Sequence, residues 1–272
     1  MQELHFSTER SRTSAAIGDI REGLLAWRFW TMLGWTDIKQ RYQRSTLGPL
    51  WLSISTALMV GALALIYGSI FKLPLSDYML YLSAGMICWL FVSSTVLEST
   101  TAFIAAEGII KQSAIPLSIY LYRLLWRSLL ILLHNAAILL VIIPLLRPIS
   151  SVNPLAVLAG LVLVTGNLFV VALVLATLCT RFRDLPPIVA SAVQVTFYVT
   201  PILYEPRQLP AQLQIIAHYN PIYHVIDVLR RPLIGEVADP ISYFVAVATF
   251  LVAGSIALIF FIRFRARVAY WL

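Results

Sequence analysis

The chain has 272 residues and a formal charge of +7, with 60% hydrophobic and only 12% charged side chains. About a quarter of a soluble domain is charged, so this composition describes an integral membrane protein with no room for a separate soluble catalytic domain. The basic residues flank apolar runs instead of forming one patch. That excludes a nucleic-acid binder and reads as topology signal and lipid headgroup contact.

The first 14 residues are polar and expected to be mobile. Glu3, Glu9, Arg10, Arg12, Asp19, Arg21 and Glu22 leave residues 1–23 without an apolar core. No cleavable signal peptide is expected there, and the first span serves as the insertion signal. Ile20, Leu24, Leu25, Trp27, Arg28, Trp30, Thr31, Leu33 and Trp35 predict one amphipathic helix lying in the membrane interface. A helix packed on a soluble partner fits the same pattern. Residues 1–48 are thus read as an N-terminal interfacial segment, and 49–272 as a transmembrane domain.

A helix rising 1.5 Å per residue needs ~20 apolar residues to cross a core ~30 Å thick. Residues 50–71, 78–99, 120–146, 155–180 and 241–262 meet that length. The third carries Arg123 and Arg127 in its first turns, where they can snorkel to the near interface. The fifth apolar run, 188–203, is short for a crossing. Residues 204–235 are too polar to span and too apolar for a free loop. Pro206, Pro210, Pro221 and Pro232 interrupt them, and they carry Glu205, Arg207, Asp227, Arg230 and Arg231. Short helices re-entering the membrane from one side fit this segment, with Asp227, Arg230 and Arg231 at its outer edge, screened by water. The expected fold is therefore all-α, with six transmembrane helices and re-entrant helices between the fifth and sixth. Six spans bring both termini to one side. Fifteen of the 20 Lys and Arg fall there, so both termini are expected in the cytoplasm and residues 203–240 outside.

No catalytic constellation is visible. His5, His134, His218 and His224 lack metal-pair spacing, and no metal site is expected. His218 and His224 read as interfacial polar residues. His134 and Asn135, inside a span, read either as functional or as an interhelical hydrogen bond. Glu98 is placed at the interface, and Cys88 and Cys179 read as packing residues. There is no phosphate-binding glycine loop, so the chain itself does not hydrolyse ATP.

The sharpest local motif runs from Asp37 to Trp51. Arg41, Tyr42, Ser45, Leu47, Gly48, Leu50 and Trp51 match a pattern by which the chain resembles the membrane subunit of bacterial polysaccharide ABC exporters, in the type-2 ABC exporter superfamily. Residues 107–116, Arg181-Phe182-Arg183-Asp184-Leu185, Thr200-Pro201-Ile202 and Asn220-Pro221 through His224 resemble further landmarks of that family. One departure is Ala114-Ile115-Pro116, where a Phe often precedes the Pro. The resemblance implies a homodimer in the bacterial inner membrane with two copies of a separate ABC ATPase. That partner would hold ATP and Mg, with no cofactor in this chain. The implied substrate is a lipid-linked polysaccharide: O-antigen, capsule or teichoic-acid glycan.

The resemblance also implies a channel lined by the first and fifth spans. Aromatic faces stack on sugar C–H faces, which selects Tyr67 and Phe71, four apart, and Phe197 and Tyr204, seven apart, as candidates. Phe71 and Tyr204 equally suit an interfacial belt. Glu107 and Lys111, four apart, are the expected ATPase-coupling pair, with Asp37, Arg41 and Arg44 as a second contact. Ile215, Tyr219, Asn220 and Pro221 mark an outer gate expected to fold back on the first and fifth spans, or else a passive cap. Two other functions remain: a small-molecule or drug exporter, which needs a closed apolar pocket, and a membrane enzyme on lipid-linked sugars. The enzyme needs paired acids, and Glu98, Glu107, Asp184 and Glu205 are scattered.

Overall fold

A computed structural model describes residues 12–43, 50–146, 148 and 152–272. Among these the regular structure is all helical. In chain order it comprises α1 (Arg12–Leu25), α2 (Trp27–Tyr42), α3 (Leu50–Phe71), α4 (Leu75–Ser99), α5 (Glu107–Gln112), α6 (Ser118–Leu146), α7 (Pro154–Arg181), α8 (Leu185–Val199), α9 (Ala211–Tyr219), α10 (Pro221–Leu233) and α11 (Pro240–Trp271). Single 3₁₀ turns precede α5 and α9.

Three of these helices start by one device. Asn153-Pro154, Asn220-Pro221 and Asp239-Pro240 place an Asx side chain at the N-cap and a proline at the first helical position. The Asx oxygens accept from the free amides of Leu155, Ile222 and Ile241 at 3.0, 2.9 and 2.9 Å. Proline there gives up an amide that the helix would not use.

Five helices, α3, α4, α6, α7 and α11, are long and apolar enough to cross a membrane. The 15 residues of α8 extend only ~22 Å at 1.5 Å per residue. It stops at Val199 because Pro201 withholds an amide and biases Thr200 to an extended conformation.

α4 is the centre of the bundle, packed against α3, α6, α7 and α10. α7 pairs with α11, and α10 beds into the space between α4, α7 and α11. A Cβ on Gly160 would strike the Val228 carbonyl oxygen, so only glycine lets the α7 and α10 backbones approach this closely. The bundle has two distinct ends. α1 and α2 pack on the start of α6, beside the C-terminal turns of α11. α10 packs at the opposite end, on the starts of α4, α7 and α11.

Several expectations change. The amphipathic segment is two helices, broken at Ala26, the first beginning at Arg12. α11 continues through Arg263, Arg265 and Arg267 to Trp271. The apolar run to residue 203 is helical only as far as Val199. α10 packs on α4, α7 and α11, not chiefly on α3 and α8. Finally, Asp227 and Arg230 are not at a watery edge: they are 1% and 0% exposed. Their charges are carried inward because α10 is amphipathic in an unusual sense, with its polar face satisfied by protein partners. His224 is buried too, between Ser242 Oγ at 2.9 Å and the His218 carbonyl at 3.0 Å, and is not an interfacial residue.

Candidate functional site

The candidate aromatics divide. Tyr67 and Phe71 do share a face of α3, their rings stacked at 5.9 Å, and Phe71 meets Tyr78 of α4 edge-on at 6.3 Å. Phe197 lies against Trp89 of α4, centroids 5.6 Å apart. Tyr204 does not share a helix face with Phe197, because α8 ends between them. The chain instead folds back, and the Tyr204 hydroxyl lies 3.2 Å from the carbonyls of Tyr198 and Val199 at the α8 C-terminus. Trp89 and Tyr198 join this aromatic group without having been selected from spacing, since Trp89 belongs to a different helix.

At the α1/α2 end, Glu107 and Lys111 form a 2.7 Å ion pair on the exposed face of α5. The hydrogen bond from Lys111, then its charge, holds the Glu107 carboxyl below its ordinary value. Asp37 is placed differently from a free docking residue. It accepts from Arg123 Nε at 2.7 Å and from a second Arg123 nitrogen, and from Arg127 Nη1 at 3.0 Å. Burial pushes its carboxyl up, but the hydrogen bonds and charges of Arg123 and Arg127 outweigh that and hold it below its ordinary value. Arg127 also binds Glu98 at 2.6 Å, and Arg41 reaches the same carboxylate at 3.4 Å. These arginines thus tie α2 to α4 and α6 rather than snorkelling alone. They line a cavity of about 270 Å³ with Thr101 and Tyr120. Arg44, Ser45, Leu47 and Gly48 lie outside the described residues.

Asp19 is a buried anchor with no local sequence signature. Its buried carboxylate accepts from the amides of Leu117 and Ser118 at 3.0 and 2.9 Å, capping the α6 start, and from Arg265 Nε at 2.7 Å. The interhelical reading holds for Asn135, whose Oδ1 accepts from Thr56 Oγ1 at 3.4 Å. The His134 ring instead lies 2.7 Å from the Leu130 carbonyl of its own helix, and only its backbone carbonyl accepts from another helix, from Ser53 Oγ at 2.6 Å.

At the α10 end, Ile215 and Tyr219 are exposed on α9. Asn220 and Pro221 act as the start of α10, and Asn220 Nδ2 also donates to Thr200 Oγ1 at 2.9 Å. Behind them lies the group that sequence spacing hinted at but did not locate. Arg230 Nη2 donates to Asp227 Oδ1 at 2.6 Å, and Nη1 to Tyr81 Oη at 2.7 Å and to the Pro201 carbonyl at 2.8 Å. The Arg230 guanidinium lies 4.3 Å from the Tyr81 ring centroid.

A bundle of membrane-length helices, with ion-pair networks at both ends and aromatic rings on α3, α4 and α8, defines a membrane-embedded helical protein. The sequence pattern of ABC-2 type transporters matches residues 28–234. Two proteins of Klebsiella pneumoniae, each described as an O-antigen export system permease protein RfbA, are 33% and 32% identical to it over 199 residues, covering 70% of this chain and 74% of theirs. The chain belongs to the ABC-2 type transporter family. It is the transport subunit of an ABC system, working with an ATPase partner, and not an enzyme.

Proposed function

We propose that this chain is the permease of an ATP-driven exporter that moves a lipid-linked polysaccharide of the O-antigen class across the bacterial inner membrane. The observation that carries this reading is the 33% identity to an O-antigen export permease over most of both chains. The aromatic cluster supports it: Tyr67, Phe71 and Phe197 are partly exposed and Tyr198 is exposed, and such rings meet a sugar polymer without demanding a fixed hydrogen-bond pattern. In this reading α8 is the fifth of six spans, completed by the non-helical residues 200–204, and both termini are cytoplasmic. Two copies of the chain enclose the path, and two ATPase copies, holding ATP and Mg, dock at the α1/α2 end against α5. The α9–α10 segment faces the far side.

The experiment is reconstitution of the chain with its ATPase in vesicles and delivery of a polyprenyl-diphosphate-linked glycan. Glycan-stimulated hydrolysis and glycan appearing on the far side are the expected results. Stimulation by hydrophobic drugs and not by glycan would replace this reading with a small-molecule exporter.

A further inference from the structure

α8 packs lightly along its length, with Val193 and Phe197 against the core, and is fixed most firmly at its C-terminal end. None of its residues is buried, and its main packing is on α4 and α7. A cavity of about 230 Å³ lies between its Val193 and Thr196 and the body of the bundle, including Trp89, Leu168 and Val225. The turn that follows is the opposite: Thr200 and Ile202 are 1% and 0% exposed.

That turn is irregular backbone in a membrane protein, where each unpaired carbonyl is costly and must be covered by protein. Side chains from elsewhere supply the donors. Tyr78 Oη donates to the Leu203 carbonyl at 2.6 Å. Tyr81 Oη lies 3.0 Å from the Pro201 carbonyl and 3.1 Å from that of Tyr204, and its single proton serves one of them at a time. Arg230 covers the difference, donating to the Pro201 carbonyl and also to Tyr81 Oη. Asp227 keeps the guanidinium aimed, and is itself bound by Arg231 at 3.0 Å and by Ser242 Oγ at 3.4 Å. A buried ion pair is weak evidence for stability, since apolar residues of similar volume often serve as well. The planar guanidinium, however, meets three acceptors on three elements at once, which neither lysine nor an apolar side chain reproduces.

We propose that Arg230 is a positioning residue that anchors the turn at 200–204, making it a fixed pivot about which α8 swings into the cavity behind it when the transport path widens. The inference rests on the transport role of the chain and not on the identity of the cargo.

The test uses the assembled transporter with its ATPase in lipid nanodiscs. Spin labels replace the exposed Val195 of α8 and Val237, and labelled copies are diluted into unlabelled ones so that pulsed EPR reads distances within one chain. The parent should give one narrow distance in the resting state. D227N/R230Q removes both charges together and should broaden that distance at unchanged melting temperature. Cargo moved per ATP should fall by about tenfold, a usual size for coupling between sites. Y78F/Y81F, which removes the phenol donors without touching charge, should broaden it as well. A narrow distance with unchanged transport per ATP in these variants overturns the pivot. If D227N/R230Q does not assemble, the phenylalanine pair decides alone, broadening supporting the pivot and a narrow distance overturning it. Because the distance is read without glycan, broadening in a transporter that moves no polysaccharide would sink the proposed cargo and leave the pivot intact.

Discussion

Asp19 and Arg265 are 246 positions apart in sequence, and Arg265 Nε donates to Asp19 Oδ2 at 2.7 Å. The same carboxylate caps the start of α6 through two amides, so one buried acid ties the first, sixth and eleventh helices together. Asp19→Ala leaves two buried amides and a guanidinium without their acceptor. At ~1–3 kcal/mol for a buried donor left unsatisfied, it should destabilise the protein by about 3 kcal/mol. Thermal unfolding in detergent measures this, and Arg265→Lys, which keeps the charge, should lose much less.

The Asp37 network gives a pH prediction. The carboxyl is held below its ordinary value of 3.8, so its ionised form adds stability at every pH above 3.8, and that contribution is lost as pH falls through the lower, folded value. The α2–α6 contact should therefore persist under mild acid and loosen only below about pH 4. Trp30 and Trp126, with ring centroids 6.1 Å apart across this contact, provide a fluorescence signal. Asp37→Asn should abolish the acid step and weaken the contact at neutral pH.

The Glu107–Lys111 pair is exposed on both sides, so its removal should hardly change stability. If α5 passes the ATPase stroke to the bundle, Glu107→Lys should reduce export while the chain still inserts and binds its partner. Glu107→Lys with Lys111→Glu restores the pair but inverts the surface. Normal export in both single changes and in the swap would exclude α5 as the coupling element.

Gly160→Ala tests the closest helix approach. The new methyl meets backbone, the Val228 carbonyl, and not a side chain that can rotate away. Overpacking of this kind costs typically 1–3 kcal/mol, and α10 should take most of the displacement. Faster hydrogen exchange in residues 221–233, with α3 and α6 unchanged, is the expected pattern.

The helices were legible because burial in lipid demands long apolar runs, and the five long ones occur where the hydropathy puts them. The end of α8 was less so. An apolar run continues through residue 203, and only Pro201 signals that the backbone has left the helix. The polar contacts were hardest to read. The i,i+3 and i,i+4 spacing of Asp227 to Arg230 and Arg231, after an Asn-Pro start, does mark one charged face of a helix. Sequence spacing does not say whether water or Tyr81 and Pro201 covers that face. Asp19 gave no local signal at all, because each of its side-chain partners lies about a hundred residues away or more. The Glu107–Lys111 ion pair is legible because it is contained in a single helical turn.

That same locality bears on how the most buried charges reach their site. Asp227 and Arg230 face each other within α10, so their contact needs only one turn of helix, which forms far faster than distant segments meet. The pair can close before Tyr81 and Pro201 are in reach. What then docks between α4, α7 and α11 is a dipole and not two separate ions, and the step that would otherwise strip water from an isolated guanidinium is avoided.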